Sequence, residues 1–105
     1  MEQFTLNFQA TPCQAAATSP SVCGVASSGN LEVLVENGEP SDRCRIDVNT
    51  PAEGFRDIWN AVLGDFVARQ PVGGLCVTIN DAGATPAVVS LRLDQAVEIF
   101  RSEKP

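Results

Sequence analysis

The side chains that most often perform chemistry in proteins are scarce in this sequence. Its 105 residues include no histidine and no tyrosine, which removes histidine-based triads, imidazole metal ligands and the most common general base. The four cysteines, Cys13, Cys23, Cys44 and Cys76, include no pair at the C-x-x-C spacing of a zinc site. The sequence therefore predicts no catalytic residue and no metal site, and favours a binding or carrier module over an enzyme.

A short run of hydroxyl-bearing and small residues offers a different kind of chemistry. Ser27, Ser28 and Gly29 belong to the segment VASSGN at 25–30, which leads directly into an apolar strand. On composition alone this segment is typical of a connector. It also suits an attachment site, because a loop of small residues presents its hydroxyl groups to another protein.

A second segment combines a turn with the start of a helix. Residues 81–84 (DAGA) are rich in turn formers, and Thr85-Pro86 is typical of a helix cap followed by proline in the first turn. Helix capping is the simpler interpretation of this segment. The functional interpretation is an anion contact, since the free N–H groups at a helix start attract phosphate or carboxylate.

Alternating apolar and polar residues predict four strands, at residues 4–8, 31–35, 44–48 and 75–79. The second and third predicted strands are expected to pair as a hairpin with a long loop. No periodicity is visible between residues 10 and 29. This stretch is therefore predicted to be a flexible loop, and it would carry both candidate serines.

Two amphipathic helices complete the predicted elements. The first is expected to open at Thr50-Pro51 and to bury one apolar stripe that includes Trp59, and the second follows Thr85-Pro86. The first stripe consists of Phe55, Ile58, Trp59, Val62, Leu63 and Phe66. The order β-β-β-α-β-α predicts an α+β fold, with a four-stranded, mostly antiparallel sheet and two helices packed on one face.

Length, charge and the absence of targeting signals indicate the number of domains, the kinds of partner and the compartment of the protein. The chain suits a single domain spanning residues 1–105. Seven basic against thirteen acidic residues, a net charge of -6, disfavour nucleic acid and anionic membranes as partners. The N-terminus lacks the features of a secretory signal, and no apolar run approaches the roughly 18 residues of a membrane helix. We therefore expect a cytoplasmic protein with reduced thiols.

Both unusual segments resemble motifs of one known family. Residues 28–34 (SGNLEVL) resemble the S-G-D-L-E-V-L segment of the acyl carrier (delta) subunit of malonate decarboxylase. Residues 79–86 (INDAGATP) and 92–95 (RLDQ) resemble the N-D-F-G-A-T-P and R-L-E-Q motifs of the same family. The order of the motifs, their spacing and the chain length all agree with it. The acyl carrier (gamma) subunit of citrate lyase is similar in its mode of action and in its cofactor, and stays an alternative.

The resemblance implies a covalent prosthetic group. In that family the serine before Gly-Asp-Leu-Glu is linked through a phosphodiester to 2'-(5''-phosphoribosyl)-3'-dephospho-CoA, and that position is Ser28 here. Ser27 is the second candidate, because it stands where the family usually has glycine. The thiol of the group carries acetyl, which a malonate transferase subunit exchanges for malonyl. A decarboxylase subunit pair then acts on the malonyl thioester, and a prosthetic-group transferase loads the carrier.

The two segments are expected to meet at one end of the sheet. If the second and fourth predicted strands pair in antiparallel fashion, the start of one lies beside the end of the other. Thr85 and the helix start would then approach a phosphate on Ser28, and Gly83 would let the backbone come close. Gly29, Gly83 and Thr85 are therefore the candidate residues for binding the group beside Ser28. Asp81 would repel a phosphate. Two other roles are therefore open for it: it caps the turn, or it recruits the modifying enzyme.

Two classes other than a carrier remain open from the sequence. One is a non-catalytic interaction domain of similar build, in which Ser28 is unmodified. The other is a small enzyme that uses cysteine or carboxylate chemistry. A covalent adduct would distinguish the carrier from the interaction domain, and turnover by the isolated chain would identify the enzyme.

Overall fold

The computed structural model describes residues 2–13 and 23–102. The described residues form β1 (Glu2–Gln9), β2 (Cys23–Ser28), β3 (Leu31–Asn37), β4 (Arg43–Thr50), α1 (Arg56–Arg69), β5 (Leu75–Asp81) and α2 (Pro86–Ser102). The strands make one sheet in the order β1-β4-β5-β3-β2. Neither helix of this described portion has the length and apolar content needed to cross a membrane.

The sheet is five-stranded and mixed, so the prediction of a four-stranded, mostly antiparallel sheet was correct only in part. β4 and β5 run parallel, whereas the other three neighbouring pairs are antiparallel. The predicted hairpin between β3 and β4 is wrong, because β5 lies between them. The physical reason is α1: a helical crossover lets β5 return parallel to β4, and this places β5 at the centre of the sheet.

The unpredicted strand, β2, falls in the stretch that was expected to be a flexible loop. It pairs with β3 from Cys23 to Ser28. Ala26 is buried and its neighbours Val25 and Ser27 are exposed, so the strand does alternate. The alternation is hard to detect in the sequence, because the buried residue is small and an edge strand needs little apolar surface. Residues 14–22 of the predicted loop lie outside the described residues.

The hydrophobic core lies between one face of the sheet and the two helices. Alternate residues of the central strands are fully buried, as are the side chains of Leu63, Phe66 and Leu93 in the helices. The buried positions of β3, β4 and β5 are Leu31, Val33, Val35, Cys44, Ile46, Val48, Leu75, Val77 and Ile79. Polar residues such as Asp47 and Asn80 occupy the opposite face. The predicted packing of both helices on one face is therefore confirmed.

Helix α1 begins later than the sequence predicts. Thr50 ends β4, where it pairs with Glu2, and does not open a helix. Its buried hydroxyl accepts a hydrogen bond from the N–H of Ala52 at 3.2 Å. The helix starts at Arg56, and Phe55 at the cap position makes no capping side-chain bond. The Thr-Pro pattern thus belongs to the turn after β4.

The predicted apolar stripe of α1 is only partly buried. Trp59 is 7% exposed, as expected for the core, and Leu63 and Phe66 are fully buried. Phe55 and Ile58, which belong to the same stripe, are 47% and 48% exposed. The first turn of α1 therefore presents apolar surface that the core does not cover.

Trp59→Ala is expected to lower the free energy of unfolding by about 3–5 kcal/mol, because it removes a large side chain from a packed interior. Urea unfolding followed by circular dichroism measures the change. Ile58→Ala is the matched control on the same turn, and should cost less than about 1 kcal/mol because the side chain is half exposed. Equal stabilities of the two variants would contradict the core position of Trp59.

Three of the cysteines, Cys13, Cys44 and Cys76, are free thiols in the structure. Cys13 and Cys44 are buried, and Cys76 is partly exposed. Burial raises the pKa of Cys44 to about 12, with further contributions from Cys76 and Glu39. Burial also raises the pKa of Cys76. Because the thiolate is the nucleophile, these two thiols are poorly suited to covalent chemistry near neutral pH.

Cys44 is expected to resist alkylation in the folded protein. With a pKa near 12, only about one thiol in 10⁴ is ionised at pH 8, and the side chain has no exposed surface. Peptide mass spectrometry after an iodoacetamide pulse measures the modification. The same pulse in urea should label Cys44 readily, because unfolding restores an ordinary thiol. Rapid labelling of the native protein would show that Cys44 is not a core residue.

Candidate functional site

The strand register brings the two unusual segments of the sequence to one end of the sheet. Ser28 pairs with Leu31, and Leu31 pairs with Asp81 on its other side. These three residues form one row across β2, β3 and β5. The backbones of Ser28 and Asp81 are therefore two strand spacings apart, about 10 Å. β3 and β5 pair in antiparallel fashion, which is the condition on which the expected meeting of the two segments depended.

The turn that follows Ser28 is hydrogen-bonded to the turn that follows β5. Gly29 and Asn30 connect β2 to β3. The carbonyl oxygen of Asn30 accepts a hydrogen bond from the N–H of Ala82 at 2.9 Å. The two segments that were singled out in the sequence thus form one continuous surface, although some fifty residues of chain separate them.

Asp81 holds this surface together. Its Oδ1 accepts hydrogen bonds from the N–H groups of Gly83 at 3.1 Å and Ala84 at 2.8 Å. Its Oδ2 accepts a hydrogen bond from the hydroxyl of Thr50 at 2.8 Å. Both carboxylate oxygens are therefore engaged in joining the turn to β4. Of the two roles left open for Asp81, capping of the turn is confirmed.

Gly83 adopts a backbone conformation that favours glycine. Its φ angle is +105°, a region that side chains with a Cβ rarely occupy. A Cβ at this position would meet nothing within 4 Å. The glycine is thus explained by its conformation, and the space above it is open. A Cβ built on Gly29 likewise meets nothing within 4 Å, so both glycines border free space.

Thr85 caps α2, as the sequence predicts. Its Oγ1 accepts a hydrogen bond from the N–H of Val88 at 3.3 Å, and its carbonyl oxygen accepts one from Val89 at 3.0 Å. Pro86 is the first residue of the helix, where its missing N–H costs nothing. The positive end of a helix of 17 residues therefore lies next to the turn that contacts Asn30.

A mainly apolar groove of about 260 Å³ opens between this turn and the first turn of α1. Its walls are Thr50, Ala52, Phe55, Ile58, Trp59, Val62, Asp81, Gly83, Ala84, Pro86 and Val89. Asp81 is its one charged member, and both of its oxygens are already hydrogen-bonded. The sequence patterns do not predict this groove. The sequence signal at this place is the apolar pair Phe55 and Ile58, which belong to the predicted stripe but stay about half exposed.

The structure thus brings together the backbones of most of the predicted site residues. Gly29 belongs to the turn that bonds Ala82, while Gly83 and Thr85 lie in the facing turn and helix start. Ser28 is placed by its pairing with Leu31, and Ser27, the second candidate, is exposed and pairs with Glu32. Among the described residues, no group of acidic and cysteine side chains could hold a metal ion.

Asp81→Ala is expected to destabilise the fold by about 1–3 kcal/mol, because it leaves the N–H groups of Gly83 and Ala84 without their acceptor. Asp81→Asn is the matched variant: its amide oxygen can still accept those two bonds, so the loss should be less than half as large. Urea unfolding provides both values. Parent-like stability of the alanine variant would mean that the carboxylate does not hold the turn.

Comparison with known proteins identifies one family. The family described as malonate decarboxylase delta subunit (MdcD) matches residues 18–100, which include both candidate serines and the turn at 81–85. The malonate decarboxylase acyl carrier protein of Acinetobacter calcoaceticus is 46% identical over 103 residues, covering 98% of this chain and all of the relative. That of Burkholderia cepacia is 58% identical over 82 residues, covering 78% of this chain and 75% of the relative.

A solved structure has the same fold. A chain in the crystal structure of a Pseudomonas malonate decarboxylase hetero-tetramer in complex with malonate superposes with a TM-score of 0.73 at 35% identity. The match covers 93% of this chain and 97% of the other. Sequence and fold therefore agree over nearly the whole length, and the chain belongs to the family of malonate decarboxylase acyl carrier proteins.

Proposed function

We propose that this acyl carrier protein of the malonate decarboxylase family holds its acyl group on a prosthetic group attached to Ser28. The hydrogen-bonded contact between the two family motifs supports this proposal. The turn after Ser28 accepts a hydrogen bond from Ala82, and Ala82 leads into the capped start of α2. A group on Ser28 would therefore begin beside a helix N-terminus, where an anion is favoured.

Ser28 is preferred to Ser27 because of its place in the hairpin. It is the last residue of β2. The next residue, Gly29, is exposed, and a Cβ added to it would meet nothing within 4 Å. A modifying enzyme can approach such a turn without disturbing the sheet. Ser27 lies one residue further inside the strand, opposite Glu32, whose negative charge disfavours a phosphodiester nearby.

The resemblance of the motifs implies that this group is 2'-(5''-phosphoribosyl)-3'-dephospho-CoA, joined to Ser28 through a phosphodiester. The dipole at the start of α2 suits a linker phosphate, whereas the Asp81 carboxylate, which is hydrogen-bonded to Thr50 and to the turn, opposes it. Gly29, Gly83 and Thr85 would border the attached group. When bound, the group supplies a terminal thiol that forms a thioester with the acyl group.

The chain itself positions the acyl group and performs no catalysis in this proposal. It has no histidine or tyrosine, and burial raises the pKa of both Cys44 and Cys76, so neither thiol competes as a nucleophile at neutral pH. Proton transfer and bond cleavage are therefore left to partner subunits. A tethered arm raises the effective concentration of the acyl group at each partner site.

The proposed partners are a malonate transferase subunit, a decarboxylase subunit pair and a prosthetic-group transferase. The related Pseudomonas protein belongs to a malonate decarboxylase hetero-tetramer, which supports a multi-subunit assembly here. The net charge of -6 would steer the carrier towards basic surfaces on such partners. The free thiols agree with a reducing, cytoplasmic location.

The attachment is tested by intact mass after co-expression with the prosthetic-group transferase. Ser28→Ala is expected to give a folded protein without an adduct and without acyl transfer, because the linking hydroxyl is gone. Ser27→Ala is the matched control, and should carry the full adduct. Circular dichroism establishes that both variants fold.

Two results would contradict this assignment. An adduct that persists on Ser28→Ala and disappears from Ser27→Ala would move the attachment to Ser27. A parent protein that stays unmodified, and that associates with the other subunits nonetheless, would support the interaction domain in place of the carrier.

A further inference from the structure

The apolar groove lies beside the turn at residues 29–30 that follows Ser28, hereafter the attachment turn, and the attachment proposed above involves only Gly83 of its lining. Phe55 and Ile58 line it, and each leaves nearly half of its side chain exposed. Apolar surface that is clustered in a concave site, and not scattered, is typical of a ligand or partner site. A groove of this kind favours an occupant that is itself apolar over part of its length.

The groove is continuous with the attachment turn. Gly83 and Ala84 belong to its wall, and the residue before them, Ala82, donates the hydrogen bond to Asn30. Ser28 lies two strand spacings, about 10 Å, from Asp81, which also lines the groove. A flexible arm that starts at Ser28 therefore needs to cross only the 82–84 turn to enter it.

We propose that the groove shelters the thiol-bearing end of the prosthetic arm while the carrier is between partner subunits. This inference rests on the attachment of the arm to Ser28. The lining matches the methylene groups near the thiol and disfavours the phosphates of the arm, because a charged group would lose its hydration there. The one charged residue of the lining, Asp81, has both oxygens hydrogen-bonded to Thr50, Gly83 and Ala84, and its carboxylate further disfavours the phosphates of the arm.

Size restricts which part of the arm can enter. A cavity of about 260 Å³ lies just below the roughly 300–1,000 Å³ of pockets that take drug-sized ligands. It can therefore receive the narrow end of the arm and not the nucleotide portion. Trp59 and Val89, which are buried in the core and also line the groove, give it a floor that does not depend on the ligand. The site is thus preformed.

The test measures how fast iodoacetamide alkylates the thiol of the arm in the loaded full-length chain. Mass spectrometry of the peptide that carries the arm reports this thiol separately from the cysteines of the protein. The parent is compared with Ile58→Gln, which places a neutral polar group in the groove. Leu91→Gln is the matched control, because Leu91 is 51% exposed on α2 and does not line the groove. Because both substitutions are neutral, they add no charge that would shift the pKa of the arm thiol.

We expect iodoacetamide to alkylate the arm thiol of Ile58→Gln faster than that of the parent by a factor on the order of ten. This is the effect of losing the burial of about two methylene groups. Leu91→Gln should react at the parental rate. Loaded proteins that all react at one rate would overturn the sheltering and leave the attachment intact. An unchanged rate with weaker association of Ile58→Gln with partner subunits would also overturn it, and assign the groove to a partner. A parent without any adduct would contradict the attachment and the sheltering together.

Discussion

The antiparallel pairing of β3 with β5 is the contact on which the functional end of the molecule depends. Leu31, Val33 and Val35 of β3 are buried on the same face as the alternate residues of β5. A slip of one residue would turn these side chains towards the polar face, so the core fixes the register. Because Leu31 pairs with both Ser28 and Asp81, the same register also sets the distance between the two turns.

This arrangement separates rigid from accessible parts of the protein. The packed strands and helices provide a scaffold, and the candidate functional residues lie on or beside two turns at its end, as is common for binding sites. Asp81 links the scaffold to the site, since one of its oxygens bonds Thr50 of β4 and the other bonds the turn. A carrier benefits from such a design because its partners must recognise a constant surface around a group that moves.

The sequence predicted those features that are carried by local patterns of large side chains. Four strands, the cap at Thr85 and the buried position of Trp59 are of this kind. β2 was missed because Ala26 contributes little apolar signal. The β3–β4 hairpin was wrong because alternation shows which face of a strand is buried and not which strand lies next to it. The Thr50-Pro51 pattern fits a turn as well as a helix start, and only tertiary packing distinguished them.

The part of the candidate site that carries the family motifs could be predicted from the sequence. Ser28 and the 81–86 segment were identified by their motifs, and one antiparallel pair sufficed to bring their backbones together. The groove was not predictable, because its walls come from the starts of two helices that are separated by β5 in the chain. Its only trace in the sequence is the apolar character of Phe55 and Ile58, which the same pattern assigned to the core.

In the proposed function, the attachment turn and the start of α2 form a single site around the prosthetic group. Backbone amide chemical shifts of the loaded and unloaded protein test this most directly, because each residue reports its own surroundings. We predict shifts at residues 29–31 and also at 82–88, with the far ends of β1 and α2 unchanged. Shifts restricted to the neighbours of Ser28 in sequence, with none at 82–88, would contradict it.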